Sequence, residues 1–177
     1  MVKITIYHGP PQRRADRGTG VPRFSVNWFK TRLTRAAKLS GINRGEWSIW
    51  LIGDRDMAPL HNRTMKNPHT TDVLTFDFRD APADPLELQT LVCVDEAARQ
   101  STARKNGLRH ELLLYMVHSL LHVSGYDDRT KNEANKMHAR EDEILTKIGA
   151  GSVYAAKKSA PPTAKQSKLR NRRVKPQ

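Results

Sequence analysis

Two histidines four residues apart, His118 and His122, stand in the apolar run 109–129, RHELLLYMVHSLLHVSGYDDR. At about 3.6 residues per turn, this spacing puts both imidazoles on one face of a helix, within reach of a single metal ion. Leu112, Leu113, Leu114, Tyr115, Met116, Val117, Leu120, Leu121 and Val123 cover the helix almost all round, as in a helix buried on every side. Ser124 and Gly125 then end it, and the chain turns back through Tyr126, Asp127 and Asp128. A carboxylate just past that turn completes three ligands and leaves a fourth position for water, the arrangement of an open catalytic zinc site. The plainer alternative is a pair of hydrogen-bonded core histidines, and the acidic turn that follows weighs against it. Ser119 occupies the position where the metalloprotease pattern H-E-x-x-H needs its general base, which argues against a peptidase.

The elements that must position this helix can be read outward from it. A strand is expected at 2–8, then a proline- and glycine-punctuated loop at 10–23. Ser25 caps a helix closed by Gly41, with Val26, Phe29, Leu33, Ala36 and Ala37 at helical spacing and Lys30, Arg32, Arg35 and Lys38 on the other face. That basic face is either solvated or a contact for a polyanion. A buried strand at 46–54 and a short helix at 57–65 come next. In the strand expected at 71–78, Leu74, Phe76 and Phe78 alternate with Val73, Thr75 and Asp77. A further strand covers 88–94, a helix begins at Asp95 or Glu96, and the histidine helix follows Gly107. The last helix, 131–148, turns Ala134, Met137, Ile144, Leu145 and Ile148 inward, with His138 structural or solvent-facing. Strands scattered among helices without regular alternation indicate an α+β fold: a small mixed sheet of about four strands packed against several helices, one of them the buried metal-binding helix.

The length of 177 residues fits one domain, 1–150, and a tail, 151–177. The tail has eight Lys and Arg, no acids and almost no large apolar residues, so it should be disordered in isolation. The net charge of +13 lies at the two ends: +9 over 1–45 and +8 over 151–177, against −4 over 46–150. An acidic centre suits a bound cation, and basic flanks suit a polyanion such as nucleic acid. The single cysteine, Cys93, is expected as a small buried hydrophobe, which suits a reducing cytoplasm. No signal-peptide core and no membrane-length apolar run is visible, so the expected location is cytoplasmic, with no membrane partner.

The segment HSLLHVSGYDD resembles the H-G-x-L-H-L-x-G-Y-D-H signature of the YbeY family, bacterial metal-dependent endoribonucleases that mature ribosomal RNA. Upstream, HNRTMKNPHTTDVLTFDF resembles the family's N-x-x-Y-R…P-T-D-V-L-S-F-P-F segment, and LVCVDEAARQSTARKNG its strand and following helix. The resemblance covers about 47–148 and implies His118, His122 and Asp128 as ligands of one divalent ion, with zinc expected. Asp128 stands where the family carries a histidine, and a carboxylate ligand leaves the ion less electrophilic and less selective. Lys66 stands in place of an arginine that stabilises charge in the cleft, keeping the charge but losing the bidentate fork. Thr71 and Asp72 match the family's motif, as does Asn62, and are implied on the substrate side, with strand capping as the other reading for the first two.

The implied function is a single-strand-specific endoribonuclease acting in late small-subunit (16S) ribosomal RNA maturation and ribosome quality control. The implied partners are ribosomal RNA and the small ribosomal subunit or its proteins. The alternative is an RNA-binding ribosome-assembly factor with weak or no nuclease activity, supported by the departures at Asp128 and Lys66. A third reading, a metal-dependent hydrolase of another substrate such as a peptide, is opposed by Ser119 and by the basic flanks.

Overall fold

The computed structural model describes residues 1–11 and 24–154; most of the expected 10–23 loop and the tail from 155 onward lie outside the described residues. Nine elements follow one another: β1 (Val2–His8), α1 (Val26–Leu39), β2 (Gly45–Ile52), α2 (Asp54–Met65), β3 (Val73–Asp77), β4 (Leu86–Cys93), α3 (Val94–Arg104), α4 (Leu108–His122) and α5 (Lys131–Lys147). The four strands form one mixed sheet in the order β1-β2-β4-β3. β1, β2 and β4 run parallel, with Ile4 beside Trp47 and Trp47 beside Leu88, while β3 pairs antiparallel to β4 with Thr75 opposite Thr90. This is the expected α+β architecture.

Alternation along the strands gives the sheet two different faces. Trp47, Ile49 and Leu51 of β2, with Leu88 and Val92 of β4, join the main core made with α1, α4 and α5. Ile52, Leu74, Leu91 and Cys93 point the other way and pack with Met57 and Leu60 of α2. α4 lies inside the main core, and ten of its fifteen residues are buried. Its rotation on the sheet is set by a buried hydroxyl network. Trp47 Nε1 donates to Thr90 Oγ1 at 2.9 Å, Thr90 and Ser119 hydroxyls meet at 2.8 Å, and Thr75 donates to Ser119 Oγ at 2.9 Å. With Ser119 turned into the sheet, His118 and His122 must emerge on another side of the helix.

Several boundaries differ from expectation because a neighbouring element supplies a cap. α2 starts three residues early, since the Asp95 carboxylate of α3 accepts the Asp54 N–H at 2.8 Å. β3 starts late, at Val73, because Asp72 Oδ1 takes the Val73 N–H at 2.8 Å. Two arginines tie α1 to α5 reciprocally: Arg35 donates to the Lys147 carbonyl at 2.9 Å and Arg140 to the Leu39 carbonyl at 2.5 Å. Arg35 of the basic helix face is thus engaged in packing.

Candidate metal centre

α4 ends at His122 with Val123 as its C-cap, and Gly125, at φ 93°, supplies the left-handed turn. The Gly125 N–H reaches the His122 carbonyl at 3.0 Å and the Tyr126 N–H the Leu121 carbonyl at 3.0 Å. Arg79 fixes this turn from the sheet side. It is nearly buried, forks onto Asp77 through Nε at 2.8 Å and Nη2 at 2.6 Å, and donates Nη2 to the Val123 carbonyl at 2.8 Å. The Arg79 guanidinium in turn holds the Asp77 carboxyl below its usual range. Beyond the turn, Thr130 and Glu133 form a capping box that starts α5.

This geometry brings His118, His122 and Asp128 together, one ligand atom of each lying within 4.8 Å of the others. The two Nε2 atoms are 3.0 Å apart, and Asp128 Oδ2 is 3.7 Å from His118 Nε2. The other nitrogen of each ring is occupied. His118 Nδ1 lies 2.7 Å from Oε1 of Glu141, a fully buried carboxylate of α5, and His122 Nδ1 lies 3.2 Å from the Tyr126 carbonyl. Carboxylate and carbonyl only accept, so both Nδ1 atoms carry protons and both neutral rings present bare Nε2 lone pairs. Two lone pairs facing each other at 3.0 Å beside a carboxylate need a positive species between them. Either a proton or a divalent ion meets that need. Burial alone would lower the His118 pKa, but the Glu141 hydrogen bond and the charges of Glu141, Asp72 and Asp128 outweigh it and raise it.

The donor set fits zinc. Nitrogens about 2.0–2.1 Å from a tetrahedral zinc ion are about 3.3 Å apart, close to the separation found here. Asp128 stands at the rim with 44% of its side chain exposed, so the open side faces solvent. Asp127, the other acid of the turn, instead pairs with Arg129 at 3.1 Å and accepts the Asp128 N–H at 2.8 Å.

The remaining expected residues lie apart from this cluster. Lys66 is the exposed, left-handed cap of α2 at φ 57°, and no hydrogen bond or ion pair joins it to the cluster among the described residues. Asn62 supports the loop through its backbone, its carbonyl accepting the Lys66 N–H at 3.0 Å, while its side chain has no partner among the described residues. The loop is pinned by His61 Nδ1 donating to the His69 carbonyl at 2.7 Å and by Thr70 donating to Asp54 at 3.0 Å. Thr71 donates to Asp72 Oδ1 at 3.1 Å, and both residues line a cavity that also includes Tyr115. Strand capping and cavity lining thus coexist in Asp72.

Glu141 was not anticipated, although a signal existed. It stands at helical spacing among Met137, Ile144, Leu145 and Ile148, a lone carboxylate in an apolar stripe. His138 is structural, stacked on Tyr154 with ring centroids 3.9 Å apart. Cys93 is buried as expected, and burial pushes its thiol up to about 11.

The family model for Endoribonuclease YbeY matches residues 18–149. An Endoribonuclease YbeY of Chlamydia pneumoniae is 31% identical over 138 residues, covering 74% of this chain and 86% of that protein. One of Mycobacterium tuberculosis is 37% identical over 120 residues, covering 62% of this chain and 68% of that protein. A solution structure of a Thermotoga maritima protein shares the fold, with a TM-score of 0.51 at 20% identity over 83% of this chain and 91% of that one.

Proposed function

Because the chain belongs to the Endoribonuclease YbeY family, we propose that it is a metal-dependent endoribonuclease that hydrolyses single-stranded RNA, with His118, His122 and Asp128 as the ligands of one divalent ion, zinc first. The observation that carries this reading is the pair of Nε2 lone pairs held 3.0 Å apart beside a carboxylate, each ring locked from behind by an acceptor. When bound, a divalent ion supplies Lewis-acid stabilisation of charge on a phosphoryl oxygen and makes water more acidic.

The chain's own groups do the rest. Glu141 and the Tyr126 carbonyl orient the rings, and Asp128, at the rim, balances the ion's charge while leaving room for substrate. Lys66 is the proposed electrostatic partner of the scissile phosphate, and its exposed position, without an ion pair among the described residues, leaves it available for that contact. The finer reading is processing of small-subunit (16S) ribosomal RNA and ribosome quality control in the cytoplasm, in association with the small subunit. It is supported by the basic charge concentrated in 1–45 and in the 151–177 tail. No helix among the described residues is long and apolar enough to cross a membrane.

The test uses full-length protein stripped with chelator and reloaded with zinc. Cleavage of a single-stranded RNA oligonucleotide should return with the metal and should be absent in His118→Ala, which should also fail to retain zinc. Undiminished cleavage by His118→Ala would overturn the reading.

A further inference from the structure

One helical turn before His118, Tyr115 forms the floor of a cavity of about 280 Å³ between α4, α3 and the start of β3. That is just under the roughly 300 Å³ at which pockets for drug-sized ligands begin, a size suited to a fragment such as a single nucleobase. The site is tied rigidly to the metal centre. β3 is fastened to α4 by the Thr75–Ser119 hydrogen bond at 2.9 Å, and Ser119 directly follows His118.

The lining is rich in acceptors. Asp72 uses Oδ1 for the Thr71 hydroxyl and the Val73 N–H, and its Oδ2 has no partner among the described residues. Glu96 receives the Gln100 amide at 2.8 Å, which leaves the Gln100 carbonyl oxygen without a partner among the described residues. Arg104, the one cation of the lining, is already paired with the buried Glu111. Glu96 is paired with Arg99 at 2.7 Å and Arg104 with Glu111, so no cation of the lining is left to hold a phosphate, and the Asp72 carboxylate, without an ion pair among the described residues, repels one. The Tyr115 hydroxyl has no hydrogen-bond partner among the described residues, and burial pushes its pKa up, so it stays an O–H donor.

Unpaired acceptors beside one donor match a base edge that carries an amino group beside a ring acceptor. Adenine and cytosine have that edge; uracil presents carbonyls flanking a single N–H. We propose that this cavity is a base-reading subsite for a nucleotide near the cleaved bond, and that it takes adenine or cytosine in preference to uracil. The inference rests on the nuclease reading above and adds base selectivity to it. Single-stranded RNA is the polymer whose bases can be splayed out into such a cavity.

The experiment measures binding of labelled single-stranded oligo-A, oligo-C and oligo-U to the full-length protein by fluorescence anisotropy, without added metal, so that turnover does not enter. Oligo-A and oligo-C should bind about tenfold more tightly than oligo-U, the effect of one well-placed base contact. Asp72→Asn keeps the acceptor for the Val73 N–H but turns a carboxylate oxygen into an amide donor. It should erase that ratio or reverse it toward uracil. Gln100→Leu, which removes the unpaired carbonyl oxygen, should reduce the ratio as well. Equal affinities for all three oligomers, or a ratio unchanged in both variants, would overturn the subsite and leave the nuclease reading standing. Absence of binding to any of the three would overturn both.

Discussion

Glu141 is where the structure makes its sharpest prediction, because one side chain should affect metal affinity and fold stability in opposite senses. The carboxylate is fully buried, Oε1 accepts from His118 Nδ1 at 2.7 Å, and Oε2 is buried with no partner among the described residues. Glu141→Gln keeps the shape and one acceptor but removes the charge. Loss of such an orienting partner behind a metal-bound histidine typically costs about 10- to 100-fold in affinity, or about 1.4–2.7 kcal/mol. Titration calorimetry with zinc on stripped protein at pH 8 should show that loss.

The metal-free protein should respond differently. The His118 pKa is raised above 6.5 in the fold, chiefly by Glu141 working against burial. The pair's stabilisation is therefore complete below the unfolded value and disappears as pH rises through the folded one. At pH 5, Glu141→Gln should lower the thermal midpoint of the metal-free protein. Above the folded pKa of His118, where the ring is neutral, the variant no longer buries an under-partnered charge, and its midpoint should equal or exceed that of the parent. A zinc affinity within about twofold of the parent at pH 8 would refute the orienting role; a lowered midpoint above the folded His118 pKa would refute the electrostatic argument.

Other consequences are equally direct. Lys66→Ala should reduce RNA cleavage by a factor on the order of 10² with zinc content intact, since one charge stabiliser is typically worth about 2.7–4 kcal/mol; unaltered cleavage would make Lys66 a surface charge only. Ser119→Ala removes the partner of the half-buried Thr75 hydroxyl and leaves the buried Thr90 hydroxyl with only the Trp47 N–H, and urea unfolding should register a loss of about 1–3 kcal/mol. Replacing Arg79 by Met removes the partner of Asp77 and the brace on the Val123 carbonyl, so the thermal midpoint should fall by several degrees, for a loss of about 2–3 kcal/mol, and zinc affinity should weaken with it. The Arg99 hydrogen bonds, helped by Cys93 and Thr70 against the effect of burial, hold Asp54 at about 2. Its contribution is present above 3.8 and fades as pH falls toward 2, but the pair is well exposed. Asp54→Asn should therefore cost under about 1 kcal/mol at pH 6 and progressively less as pH falls through 2, read from urea midpoints.

Local pattern accounts for much of this molecule. Alternation places the strands to within a few residues, and the spacing of His118 and His122 puts two imidazoles on one helix face, because both periods are properties of the backbone alone. The motif resemblance singled out Asp128 from Asp127, which the structure separates by giving Asp127 to Arg129. Other features depended on contacts between residues far apart in sequence. The antiparallel direction of β3 and its place beside β4 follow from how the sheet closes over both cores. Glu141 meets His118 across 23 residues, and Ser119 is locked by hydroxyls on two different strands. The cavity beside Tyr115 exists only where α3, α4 and β3 converge. A hydrogen bond across such distances leaves no periodic trace in the chain. Periodicity could therefore identify the helix that carries the two histidines, but only tertiary packing decided how that helix is rotated, which carboxylate stands behind His118 and what lies beside it.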